Sequence, residues 1–280
     1  MQIADAHNDL LMYANSTKLV HNYLEFAKYN KVVKVFTAYY VAQKQEFQDF
    51  DTLFLDIINK FNLLKDYPDL IYKTFENIGF VNDKCKLKKL IDLHPFCVTL
   101  TWNHTNCLGG GAKESGGLSE WGKQVVAELI KNNIIIDCAH LNEQSFIDLM
   151  EFGEPLFCSH TASRELYDIP RNLNKNQLRV IANSKGFVGL SLYNTLLGEH
   201  KANFDLIYAH LDSMLENAGE NTVGFGTDFN STGEENPFGL KDYQGFGELY
   251  DFLLKYYCTS TLDKVFSKNL LSFIKRVEDK

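Results

Sequence analysis

His7 and Asp9 stand two apart in the opening segment DAHNDL. On an extended strand, side chains at i and i+2 project to the same face, so this pair can grip one cation. Two further histidines close apolar runs, His140 after IIIDCA and His160 after PLFCS. From neighbouring strands they can bind a second ion. Glu76 ends the run LIYKTFE, and a carboxylate can bridge two cations where a neutral imidazole cannot. Five N and O donors without a thiolate suit zinc in a catalytic site that keeps positions open for water. Cys138 and Cys158 each stand two residues before a histidine, so a Cys₂His₂ structural site competes for the same region. A rise of about 3.3 Å per residue sets those cysteines roughly 6.6 Å deeper than the histidines, which reads better as core.

Such donors need elements that bring them together. Short β-branched and aromatic runs predict eight strands, at residues 2–7, 34–41, 70–76, 97–102, 134–140, 156–160, 187–193 and 223–228. Helical periodicity fills most intervals, at 47–64, 120–131, 143–150, 175–183, 204–217 and 246–257, with 260–276 closing the chain. Strands alternating with helices imply βαβ units and a parallel sheet, and eight units are the number that closes a (β/α)₈ barrel of the TIM type. A doubly wound open sheet is the alternative. Most of these strands run into a polar group: His7 with Asp9, Glu76, His140, His160, Tyr193 and Asp228. Barrel active sites are built from the carboxyl ends of several strands, so these residues are expected to converge on one mouth.

Composition narrows the function classes. The 280 residues, 45% hydrophobic and 23% charged, fit a single barrel domain over 1–280. A net charge of -8 opposes a nucleic-acid partner, since phosphate binding needs a basic face. Asp5 and Asp9 interrupt any apolar run before an export signal could form, and no later stretch offers about 18 uncharged apolar residues. A cytoplasmic location without a membrane partner is therefore expected. The six cysteines form no C-x-x-C pair, which suits reduced thiols. The glycine-rich NCLGGGAKESGG reads as a loop at the active-site end and precedes no phosphate-loop signature.

With these residues located, the chain resembles the membrane (renal) dipeptidase family. The matching pieces stand in family order: DAHNDL, TFEN, VTLTWN, GLSEWGKQVVAELIKNNIIIDCAHLNEQSF, SHTASREL with RNL, GFVGLSLYN, GFGTDFN, and NPFGL with KNLLSFIKRV. The resemblance implies that His7 and Asp9 hold one Zn²⁺, that His140 and His160 hold the other, and that Glu76 bridges. It also implies a proton-carrying role for Asp228 and makes Arg171 the anchor for a dipeptide's terminal carboxylate. Hydroxide shared by two zinc ions would then attack the peptide bond. One position departs from the pattern. Where mammalian members carry a histidine after Leu-Thr, this chain has Trp102, whose indole N–H can donate but cannot carry charge. His104, two residues on, is the candidate substitute. Trp102, His104, Arg171 and Tyr193 thus form the expected substrate-binding set.

Two other readings stay open at this stage. A metal-dependent amidohydrolase acting on N-acyl amino acids or related amides would keep the same metal ligands. A non-catalytic metal-binding barrel would keep the fold alone. The absence of a G-x-S-x-G elbow disfavours a serine hydrolase. Members of the family often pair, so a homodimer is an expectation from the resemblance, with no apolar stripe marking its interface.

Overall fold

The structure, a computed structural model, describes residues 1–47, 49–231, 237 and 240–280. Asn236, Phe238 and Gly239 of the NPFGL motif lie outside the described residues. The strands are β1 (Ile3–Asn8), β2 (Val32–Tyr40), β3 (Ile71–Glu76), β4 (Cys97–Thr99), β5 (Ile135–Asp137), β6 (Phe157–Thr161), β7 (Phe187–Leu190) and β8 (Val223–Phe225). Each pairs in parallel with its sequence neighbours, and β1 meets β8 at Asp5 and Phe225 to close the barrel. The (β/α)₈ architecture is therefore the one expected, and the open-sheet alternative is excluded.

Local sequence explains the helices that flank it. Helices Glu120–Lys131, Glu143–Met150 and Lys175–Asn183 open on Ser119, Asn142 and Asn174, whose side chains accept from backbone N–H groups of the first turn. Among the described residues, two helices of eight or more residues lie outside the predicted ranges, Thr17–Tyr29 and Lys84–Ile91. The second carries four lysines and buries only Leu87 and Leu90, too thin a stripe for a periodic signal. The last predicted helix is broken by a π-helical turn, Lys264–Lys268, before Asn269–Glu278. Among the described residues no helix is long and apolar enough to cross a membrane.

The two ends of the barrel differ in chemistry. Phe157, at the start of β6, stacks on Phe187 at the start of β7 and on Phe273 of the last helix, with ring centroids 5.7 and 5.2 Å apart, and Phe187 meets Phe273 at a tilt at 6.3 Å. Ala4, Phe36 and Cys97 join this cluster, so the amino-terminal end is plugged by carbon. Polar side chains collect at the carboxyl ends instead. The competing Cys₂His₂ reading finds no support, because Cys138 and Cys158 are free and buried in apolar core.

Two glycines let neighbouring backbone approach closely around the Ser159 carbonyl. A Cβ on Gly226 would lie 1.8 Å from that oxygen, and one on Gly189 would lie 2.0 Å away. A backbone atom flanked by two strands has no room to retreat. Gly226→Ala is expected to destabilise the fold by about 1–3 kcal/mol, the usual cost of overpacking. The check is a lowered denaturant midpoint with an unchanged slope.

Candidate metal centre and substrate cavity

His7 lies on β1, and Asp9 follows one residue past its end. Glu76 ends β3, and His160 sits on β6. His140 and Asp228 come three residues after β5 and β8, not on the strands as expected. Both take left-handed backbone, with φ of 67° and 64°. That conformation is costly for a side chain with a Cβ and concentrates at functional sites. It turns both residues off the ladder.

Six side chains converge. Glu76 Oε1 lies 2.6 Å from His140 Nε2 and 3.8 Å from His160 Nε2, while Glu76 Oε2 lies 3.8 Å from His7 Nε2. His7 Nε2 is 3.5 Å from Asp9 Oδ1 and 3.7 Å from Asp228 Oδ1. Ligand atoms fall into three overlapping triads, His7–Asp9–Glu76, Glu76–His140–His160 and His7–His160–Asp228, each within 4.8 Å. Glu76 is shared by the first two.

The donor atoms fit a cation by a test of their own. His7 Nε2 and Asp9 Oδ1 are buried and make no hydrogen bond. A buried polar atom left unpaired costs about 1–3 kcal/mol, so two facing each other point to a missing partner. His140 donates from Nδ1 to Asn103 Oδ1 at 3.1 Å, which leaves its Nε2 lone pair aimed at Glu76 and at His160 Nε2, 3.0 Å away. His160 Nδ1 lies 2.8 Å from Ser159 Oγ. Arg171 Nη2 also reaches His140 Nε2, at 3.1 Å, so a cation at that nitrogen requires this contact to open.

Electrostatics separates the groups. Burial raises the Glu76 carboxyl, but His140, His7 and Arg171 outweigh it and hold it down at about 2. Burial lowers His7, yet Asp9, Glu76 and Asp228 overcome that and raise it to about 10. Burial and the Arg171 guanidinium push His140 down to about 4. Burial, reinforced by Asp9 and Glu76 against the pull of His7 and Arg171, lifts Asp228 to about 7. A carboxyl that exchanges its proton near neutrality is suited to general acid–base work.

The centre opens into a cavity of about 600 Å³. This volume lies within the range of small-ligand sites, roughly 300–1,000 Å³. Trp102, Arg171 and Tyr193 line it, as expected, and so do Tyr40 and Lys113, which sequence reasoning missed. Tyr40 ends β2 beside Glu76, so the strand-end rule could have found it. Its ring meets Trp102 edge-on at 5.4 Å. The structure does not bring His104 to the cavity: its half-exposed ring turns outward and pairs with Glu114 Oε1 at 2.8 Å. An acceptor on the surface wins that ring, which corrects the proposed substitution for the missing histidine. The glycine-rich loop is packed rather than free, bridging Gly111 to Leu141 and carrying Lys113 to the cavity wall.

Known proteins resemble this chain in sequence and fold. Over 191 residues the chain is 31% identical to an uncharacterized protein in the pqqA 5′ region of Klebsiella pneumoniae, covering 63% of this chain and 70% of that protein. It is 26% identical over 202 residues to an uncharacterized dipeptidase of Schizosaccharomyces pombe, covering 69% of this chain but spanning about half (49%) of that relative. A crystal structure of a metallo peptidase from Rhodobacter sphaeroides, liganded with a phosphinate mimic of the dipeptide L-Ala-D-Ala, superposes with a TM-score of 0.82. That pair is 21% identical over 99% of each chain, a likeness of fold. The model of the membrane dipeptidase family (Peptidase family M19) matches residues 71–280. With three quarters of its length inside that match, the chain belongs to the membrane dipeptidase family.

Proposed function

We propose that this chain is a binuclear zinc dipeptidase whose single catalytic barrel spans residues 1–280. The observation that carries the reading is the convergence of five N and O donors, two of them without hydrogen-bond partners, beside a buried carboxyl poised near neutrality. His7 and Asp9 would hold one ion, His140 and His160 the other, with Glu76 bridging. When bound, two zinc ions would supply the Lewis acidity that activates water and polarises the scissile carbonyl.

The chain's own residues do the rest. Asp228 sits 3.7 Å from His7 Nε2 and accepts from Ser191 Oγ at 3.1 Å, which fixes its carboxylate at the cavity edge. From there it takes the proton of the attacking water and returns it to the leaving amine. Arg171, reaching over the cavity from the loop after β6, pairs with the substrate's terminal carboxylate through its planar fork. Trp102, Tyr40 and Tyr193 form apolar walls that exclude bulk water from the reacting bond.

Arg171 sets substrate length, and that separates a dipeptidase from a broader amidase. Amino-acid release from zinc-loaded protein is expected to be efficient with free dipeptides and poor with dipeptide amides. Arg171→Met should raise KM for the free acids at least tenfold at unchanged metal content, because an ion pair of about 1.5–3 kcal/mol is lost without touching a ligand. Equal cleavage of amides and acids by the wild type would make the amidohydrolase reading the better one. Release from neither, at full zinc loading, would return the chain to the non-catalytic reading.

A further inference from the structure

Two buried carboxylates stand next to the centre without entering it. Asp5 is fully buried on β1, two residues before His7, and Asp137 is 2% exposed at the end of β5, three residues before His140. Neither lines the cavity or belongs to a ligand triad.

Their hydrogen bonds follow one plan. Asp5 pairs across the β1–β8 seam with Phe225, and Asp137 pairs across the β5–β6 seam with Phe157. At both seams the strand register shows this one partner pair, and past it the β1–β8 seam is crossed again by backbone bonds from Asp228 N to His7 O at 3.1 Å and from Asp9 N to Phe229 O at 2.9 Å. The carboxylates span the interval between pair and centre. Asp5 Oδ1 accepts from His7 N at 3.2 Å and from Thr227 N at 2.7 Å, two residues past Phe225. Asp137 Oδ1 accepts from Ala139 N and from Ser159 N, two residues past Phe157, both at 2.9 Å. Asp5 Oδ2 is further held by Thr227 Oγ1 at 2.7 Å and Tyr243 O–H at 2.6 Å.

Each pair of amides flanks a pair of site residues. Asp5 ties His7 to the residue before Asp228, and Asp137 ties the residue before His140 to the residue before His160. Each tie also ends beside one of the two left-handed positions, Asp228 and His140. A conformation that costs energy persists only where its surroundings over-determine it. β1 and β5 lie half a barrel turn apart, so the two ties serve opposite sides of the centre.

We propose that Asp5 and Asp137 are positioning residues that set the two halves of the metal centre separately, Asp5 the His7–Asp9–Asp228 side and Asp137 the His140–His160 side. The inference rests on the metal-centre reading above. Partners that orient ligands change metal affinity by about 10–100-fold when removed. The atoms involved predict an asymmetry between substitutions. The two backbone amides tied by Asp137 both bond one oxygen, which an asparagine retains, whereas Asp5 accepts on both oxygens and an amide nitrogen cannot accept from Thr227 or Tyr243.

The test is zinc titration of the whole chain against a chromophoric chelator, with folding followed by circular dichroism. Asp137→Ala should weaken one of two ions about 10–100-fold, while Asp137→Asn stays within about threefold of wild type. Asp5→Ala and Asp5→Asn should both weaken the other ion. In a His7→Ala background, Asp5→Ala should leave the remaining ion unchanged and Asp137→Ala should weaken it. If the alanine variants do not fold, Tyr243→Phe, which removes one donor to Asp5, should still weaken one ion several-fold. The proposal is overturned if Asp137→Asn is as damaging as Asp137→Ala, if both ions weaken together, or if Tyr243→Phe and Asp5→Asn bind like wild type. A wild-type chain that takes up no zinc overturns the metal reading itself, a result distinct from all of these.

Discussion

Asp228→Asn is expected to lower kcat by roughly 10²–10⁴ while leaving the zinc content at its wild-type level, the range for loss of a general acid–base. The substitution keeps the size of the side chain and can still accept from Ser191 Oγ through its carbonyl, so the left-handed loop is retained. What it removes is the ability to carry a proton. The pH profile provides a second readout. The carboxylate form is the base, so activity falls as pH drops through its pKa. That pKa is lifted to about 7 by burial and by Asp9 and Glu76. Bound cations would stabilise the carboxylate, so the acid limb of the loaded enzyme should lie below 7. In Asp228→Asn this limb should vanish. A variant that retains wild-type kcat would remove Asp228 from the proton path.

Glu76→Gln is expected to abolish measurable turnover by emptying both positions of the centre, whereas His7→Ala should empty mainly one. The reason is shared contact: Glu76 approaches His140 and His160 through Oε1 and His7 through Oε2. An amide offers one neutral acceptor where the carboxylate offers two charged ones. Elemental analysis after dialysis without chelator should approach two zincs per chain for wild type, one for His7→Ala and near zero for Glu76→Gln. Single-ion losses of equal size in both variants would place the bridge elsewhere.

Much of the barrel could be read from patterns a few residues long. The helices Glu120–Lys131, Glu143–Met150 and Lys175–Asn183 match their predicted bounds because a capping Ser or Asn marks each start and a periodic apolar face follows. Strand ends were read less well. β4, β5, β7 and β8 each stop three residues before the predicted end, because the chain leaves the ladder there to turn its polar groups into the cavity. An apolar run continues through such a turn, so composition does not mark the exit. Thr17–Tyr29 was missed although Val20, Leu24 and Ala27 repeat at helical spacing, since aromatic and polar residues crowd the other positions.

The sequence by itself determined the number and order of strands and the residue types at their carboxyl ends, and its motifs carried the resemblance to the family. Those features are local, set by strand alternation, helix periodicity and capping within windows of a few residues. Only the tertiary structure decided which candidates meet. It turned His104 out to Glu114, brought Tyr40 into the cavity wall and set Arg171 3.1 Å from His140. It also gave Asp5 a partner 222 residues away in Thr227. Spacing places a residue on an element, but the direction of a side chain beyond a strand end depends on hydrogen bonds to distant backbone. Closure of the barrel alone brings those atoms together.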